Sequence, residues 1–133
     1  MSKVVLITGA TSGMGKLTAS YLASNGYVVY AGTRNKDNLE SNIENINNIY
    51  IDVTKTDSIK NAVNTIIQKE GKIDVLVNNA GYGLLATIEE GTDEEIFNQF
   101  DVNVFGLIKT TREVLPYMRE AKQGVIINIS SFL

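Results

Sequence analysis

The sequence predicts an α/β fold in which a parallel sheet is doubly wound, with helices on both of its faces. Three observations carry this expectation. Short apolar runs such as Val4–Ile7 show no polar alternation, as strands buried on both faces require. Segments with apolar residues at helical spacing separate those runs. A glycine-rich turn from Thr8 to Gly15 joins the first run to the first helical segment.

In chain order, Val4–Ile7 is the first strand, ended by Thr8-Gly9. Met14 to Ser24 is a helix with Leu17, Tyr21 and Leu22 at helical spacing, and Asn25-Gly26 supplies its stop. Tyr27–Ala31 is the second strand by its β-branched and aromatic content. The Asn-rich stretch from Asn35 to Asn48 reads as a surface connection with a short helix. Asn48–Val53 holds the third strand. A helix follows from about Asp57 to Glu70, with apolar positions Ile59, Val63, Ile66 and Ile67 and Gly71 at its end. Ile73–Val77 is the fourth strand. Asp93 to about Ala121 reads as helix interrupted near Gly106, with Phe97, Phe100, Val104, Ile108 and Leu115 as its inward stripe and Pro116 as a source of kinking. Val125–Ile129 is the fifth strand, read as buried, and it delivers Ser130 and Ser131 to the sheet's carboxyl edge. The alternation βαβαβ(α)βαβ implies right-handed crossovers.

Composition narrows the chemistry. A chain of 133 residues with 44% apolar and 20% charged residues fits one small globular domain. A net charge of −3 gives no electrostatic reason to expect nucleic acid or an anionic membrane as a partner. The chain has no cysteine and no histidine. Disulfides, thiolate chemistry, Ser-His-Asp catalysis and the common zinc sites are thereby excluded, and no metal is expected. Acid–base work must fall to Tyr, Lys, Asp, Glu or a relayed water. The apolar run Val4–Ile7 is too short for a signal peptide, and nothing approaches a membrane span, so the expected location is cytoplasmic.

Several motifs point to a bound dinucleotide. Glycines at 9, 13 and 15 in T-G-A-T-S-G-M-G would permit a tight turn and close backbone approach to a pyrophosphate at a helix amino terminus. The spacing is neither the common Gly-x-Gly-x-x-Gly nor the NTPase loop, since Leu17 stands where Ser or Thr would bind magnesium. A glycine-rich turn without a ligand is the alternative. About twenty residues on, where a dinucleotide's adenosine ribose is read, the chain has Thr33-Arg34. Thr33 brings no carboxylate and Arg34 brings a planar cationic fork, a pair that favours the 2′-phosphate of NADP(H) over NAD. An ordinary surface arginine is the alternative there. Asn78-Asn79-Ala80-Gly81 ends the fourth strand with small and amide side chains that suit a cofactor edge or a plain turn. Asp52, in I-D-V-T, lies where an adenine would sit, or caps a turn. Asn103 places an amide in an otherwise apolar helical stretch, where it must find partners.

Together these residues resemble the short-chain dehydrogenase/reductase family, in its compact single-domain, NADP-preferring form. The match runs over essentially the whole chain. The resemblance implies a Rossmann-like doubly wound parallel sheet truncated after the fifth strand, with residues 1–133 as one NADP(H)-binding domain, the amino-terminal half of the family's domain. It implies cofactor contacts from Gly9, Thr11, Ser12, Gly13, Met14, Gly15, Thr33, Arg34, Asp52, Val53, Asn79, Ala80 and Gly81. It places the substrate-orienting serine on Ser131, beside Ser130, and the catalytic-site asparagine on Asn103. The implied reaction is hydride transfer between a nicotinamide and a small-molecule ketone, aldehyde or secondary alcohol. Full-length members are implied to be homo-oligomers.

One departure is large. The family's Tyr-x-x-x-Lys pair would fall after Leu133. Four residues beyond Tyr21, Tyr27, Tyr30, Tyr50, Tyr82 and Tyr117 stand Asn25, Ala31, Arg34, Thr54, Ala86 and Ala121. The chain alone is therefore expected to be inactive. A non-catalytic dinucleotide-binding module, or a truncated fragment, is the alternative to an enzyme.

Overall fold

The computed structural model describes residues 1–37 and 39–131. The elements are β1 (Val4–Ile7), α1 (Gly13–Ser24), β2 (Val28–Thr33), β3 (Ile46–Tyr50), α2 (Thr56–Glu70), β4 (Val75–Asn78), α3 (Asp93–Phe100), α4 (Gly106–Ala121) and β5 (Val125–Asn128). All strand pairs are parallel and the sheet order is β3-β2-β1-β4-β5. The doubly wound sheet predicted from the sequence is present.

Successive residues of β1 point to opposite faces and feed two cores. Val5 and Ile7 pack with Val29, Ala31 and Val77 under Ala19 and Ala23 of α1. Val4 and Leu6 pack with Tyr30 and Leu76 under Ile59, Val63 and Ile66 of α2 and Val114 and Met118 of α4. Every residue of β1 is buried, which its unbroken apolar run anticipates.

Several expectations need correction. Leu17 and Tyr21 lie outward, 72% and 69% exposed, and α1 instead buries Gly15, Ala19 and Ala23. Small residues let the helix sit close to the strands, so the buried face is the one with little side-chain bulk. The stripe Phe97, Phe100, Val104, Ile108 and Leu115 is likewise exposed, while α4 buries Gly106, Thr110, Val114 and Met118. The break in that long helix precedes Gly106 and is a π-helical turn, Asp101–Phe105. The helix runs through Pro116 without interruption. The expected short helix within 35–48 is absent among the described residues. β5 is an edge strand with Val125, Ile127 and Asn128 exposed, not the buried strand its composition suggested. No helix of the described residues is long and apolar enough to cross a membrane.

Candidate functional site

The site begins where the sheet order reverses. β1 and β4 are neighbours although 70 residues separate them, and the turns leaving their carboxyl ends diverge around a crevice. Gly9 and Gly13 adopt φ of +61° and +55°, a left-handed conformation that favours glycine. A Cβ on Gly9 would also lie 3.0 Å from the Ala80 Cα, so the two turns touch backbone to backbone. Thr8 Oγ1 accepts hydrogen bonds from the N–H groups of Asn79 and Ala80, both at 3.0 Å. Asn79 Nδ2 donates in return to the carbonyls of Thr8 and Gly9 at 3.1 Å. The second asparagine of N-N-A-G thus fastens the glycine turn to β4. Its neighbour Asn78 is buried and donates to Thr111 Oγ1 and Asn128 Oδ1, both at 3.0 Å, which ties β4 to α4 and β5.

A cleft of about 740 Å³ opens beside this junction. Gly9, Ser12, Gly13 and Met14 form one wall, and Asn79, Ala80, Gly81 and Tyr82 another. Arg34 and the run Asp52-Val53-Thr54 close the β2–β3 end, and Asn98, Asp101 and Val102 face them from the long helix. An adjoining recess of about 320 Å³ is lined by Gly9, Thr11, Ser12, Thr33, Arg34 and Asn35. Gly15 does not line either space. It is buried, and a Cβ there would lie 2.5 Å from both Asn79 Nδ2 and the Gly9 carbonyl, so it sets how closely α1 approaches the strands.

These residues fit an anionic dinucleotide. Ser12, the residue preceding α1, makes no side-chain cap, so the first N–H groups of the helix remain available. α1 has no acidic residue in its first turn, whereas α2 and α3 do. Thr33 is buried and its Oγ1 accepts the Asn35 N–H at 3.1 Å, while Arg34 is exposed to the cleft and the recess.

Asp52 is both a turn cap and a cleft residue. Its Oδ1 accepts the Thr54 N–H at 3.0 Å and the Thr54 hydroxyl at 2.7 Å. Burial opposes its ionisation. The two Thr54 hydrogen bonds, with the nearby charges of Lys55 and Arg34, outweigh that and hold its pKa below the usual carboxylate value.

Asn103 sits in the π-helical turn, half-buried. Its Nδ2 donates to the Tyr82 carbonyl at 2.7 Å and its Oδ1 accepts the Tyr82 N–H at 3.0 Å. Both ends of the amide therefore clamp the wall residue Tyr82 rather than entering the cleft. Ser131 follows β5, one residue past Ser130, and both are exposed. The Ile129 N–H still bonds the Asn78 carbonyl at 3.0 Å, so β5 keeps its register as it leads to the serines. Ser131 lies outside the lining of the cleft.

The model of the short chain dehydrogenase family matches residues 3–133. This chain belongs to the short-chain dehydrogenase family. A 3-ketodihydrosphingosine reductase of Bacteroides thetaiotaomicron is 46% identical over 97% of this chain and 47% of its own length. A 3-oxoacyl acyl-carrier-protein reductase of Thermotoga maritima is 40% identical over 97% of this chain and 55% of its own. Among solved structures, a short-chain dehydrogenase from Streptomyces avermitilis superposes with a TM-score of 0.91 at 36% identity, covering 98% of this chain and 50% of that one. ElxO with NADP bound gives the same TM-score at 33% identity, with 98% and 56% covered. The chain thus spans about half the length of the relatives it matches. These likenesses bear out the Rossmann-like sheet expected of a short-chain dehydrogenase.

Reasoning from sequence missed three features of this short-chain dehydrogenase site. Thr8 is the acceptor that joins β1 to β4, and only its place before Gly9 signalled it. Thr54 and Ser58, which fix Asp52, were legible only as hydroxyls two and six residues after it. The cleft residues Asn98 and Asp101 carried no signal, because their approach depends on how the long helix packs.

Proposed function

We propose that residues 1–133 form the NADP(H)-binding part of an oxidoreductase acting on a small-molecule ketone, aldehyde or secondary alcohol. The observation that carries this is the single cleft in which the glycine turn, Arg34, Asp52 and the Asn79–Gly81 wall meet. The free amino end of α1 would hold the pyrophosphate, and Thr11, Ser12, Thr33, Arg34 and Asn35 would surround a 2′-phosphate in the adjoining recess. Asp52 and Val53 would flank the adenine. The NADP-bound neighbour supports the same choice of cofactor. A bound nicotinamide supplies or accepts the hydride. Ser131 would orient the reacting oxygen through its hydroxyl, and Asn103 would keep the Tyr82 wall in place. The names of relatives, which include reductases of 3-keto compounds and an alcohol dehydrogenase, support a carbonyl/alcohol pair as the substrate class.

Titration with NADPH and NADH, followed by nicotinamide fluorescence, tests the cofactor reading. NADPH is expected to bind more tightly, and Arg34→Ala to weaken NADPH by about tenfold or more while leaving NADH unchanged. NADH binding at least as tightly, or an Arg34→Ala variant with unaltered NADPH affinity, overturns it. No tyrosine of the 133 residues has a lysine four positions on, so binding without turnover is expected from this chain by itself. Steady NADPH oxidation with carbonyl substrates would sink that expectation. A non-catalytic dinucleotide-binding module is the second reading, favoured by a cleft that is walled without that pair.

A further inference from the structure

The turn that ends α1 holds a reactive pair shut. Asn25 is the only asparagine of the chain followed by glycine, and both residues are exposed. Glycine carries no side chain to keep its backbone nitrogen from the amide of the preceding asparagine. Here the geometry prevents that approach. The Gly26 N–H donates to the Ala23 carbonyl at 3.1 Å and the Tyr27 N–H to the Leu22 carbonyl at 3.2 Å, with Gly26 at a φ of +87°. This is the paired bonding of a Schellman turn, and Leu22 and Tyr27 both pack against the core beneath α1. The Asn25 side chain is engaged as well. Its Nδ2 donates to the Tyr21 carbonyl at 2.8 Å, an oxygen that also accepts the Ser24 hydroxyl at 2.8 Å. An Asn25 ψ of 17° turns the Gly26 nitrogen away from the Asn25 Cβ, whereas closing a five-membered ring needs the two nearly eclipsed.

We propose that Asn25 is a deamidation site that reacts only when the carboxyl end of α1 unravels, and that either product weakens the turn. In the opened turn the Gly26 nitrogen attacks the Asn25 Cγ. A C–N bond forms, the side-chain nitrogen leaves as ammonia with the proton from Gly26, and a cyclic imide remains. Water then cleaves either C–N bond of the ring, giving aspartate or isoaspartate. No redox partner is needed. Aspartate has no N–H for the Tyr21 carbonyl and sets a negative charge at the negative end of the helix dipole. Isoaspartate lengthens the backbone by one methylene, which displaces the Gly26 and Tyr27 N–H groups from their acceptors. Each opening that reaches the imide is therefore retained as a covalent mark on the chain.

The test incubates the wild-type chain in mildly alkaline buffer, folded and in denaturing urea, and follows conversion by peptide mass and isoaspartate content. In urea, Asn25 is expected to convert ahead of every other asparagine. The folded chain is expected to convert at least about tenfold more slowly, because reaction then follows the population of the opened turn. Gly26→Ala in urea, where folding plays no part, is expected to slow conversion by about tenfold, since a Cβ hinders the attacking nitrogen. Asn25→Asp, which reproduces one product, is expected to lower the urea midpoint of the folded chain. Equal rates in the folded and unfolded chain overturn the gating by the turn. Another asparagine converting first in urea, or Gly26→Ala converting at the wild-type rate, overturns the assignment of the site. An unaltered midpoint in Asn25→Asp overturns the weakening of the turn by its product.

Discussion

Asp74 and Tyr30 tie the stability of the sheet to pH from opposite ends of the scale. Asp74 is buried before β4, where burial opposes its charge. The Val4 N–H at 2.8 Å and Lys72 Nζ at 2.9 Å, with Lys3 nearby, more than offset this and keep its pKa below the usual carboxylate value. A folded-state pKa below the unfolded one, about 3.9, means that the stabilisation is full above that value and is lost as pH falls through the folded pKa. The urea midpoint is therefore expected to drop on acidification below about pH 4, and Asp74→Asn to lower it at neutral pH and flatten the acid limb. Tyr30 behaves in the reverse sense. Burial, then the hydrogen bond to Glu70 at 3.0 Å and that residue's charge, push its pKa up to about 12. A raised value means that stabilisation is full below pH 10 and lost as pH rises toward 12. Stability is therefore expected to fall across that interval in the wild type and to fall less steeply in Tyr30→Phe, as read by urea midpoints.

At the level of elements, the contact between α1 and the strands decides the sign of a common substitution. Gly→Ala inside an exposed helix stabilises by about 0.5–1 kcal/mol. At Gly15 the added methyl would meet Asn79 Nδ2 and the Gly9 carbonyl at 2.5 Å, so Gly15→Ala is expected to destabilise by about 1–3 kcal/mol in thermal unfolding. The same contact shows what the sequence could reveal. Val4–Ile7 and the α2 positions Ile59, Val63 and Ile66 were readable because each apolar residue there faces the core. In α1 and along the helix from α3 to α4 the bulky stripes, Leu17–Tyr21 and Phe97–Leu115, point outward, and the buried faces carry Ala19 and Ala23 in α1 and Gly106, Thr110, Val114 and Met118 in α4. Periodicity identifies a helix and its stripes but does not choose which stripe meets the sheet. At α1 the close approach to the strands admits only the small one, whereas α2 meets the same sheet through its bulky stripe. For the site, the glycine turn, Arg34 and Asp52 were legible because each lies within a few residues of a strand end, and all three line the cleft. The clamp of Asn103 on Tyr82 was not, since its partners are 21 residues apart and meet only through the π-helical turn.

Across the whole molecule, the long helix exposes Phe97, Phe100 and Ile108, and the edge strand β5 separately exposes Val125 and Ile127. The two cores under α1 and under α2 and α4 share β1, so the sheet is the one body to which these three helices are anchored. The junction of β1 with β4 has a kinetic consequence. The Thr8–Asn79 hydrogen bonds close a loop of 71 residues, and no shorter segment of the chain contains both walls of the cleft. Closing so long a loop is an entropic step that precedes any gain from the contact it makes. A partly folded chain therefore offers the dinucleotide nothing to grip, and ligand should enter only after the barrier is crossed. Saturating NADPH is expected to slow unfolding in stopped-flow denaturant jumps while leaving the refolding rate unchanged, so occupancy lengthens the life of the folded chain without helping it to form.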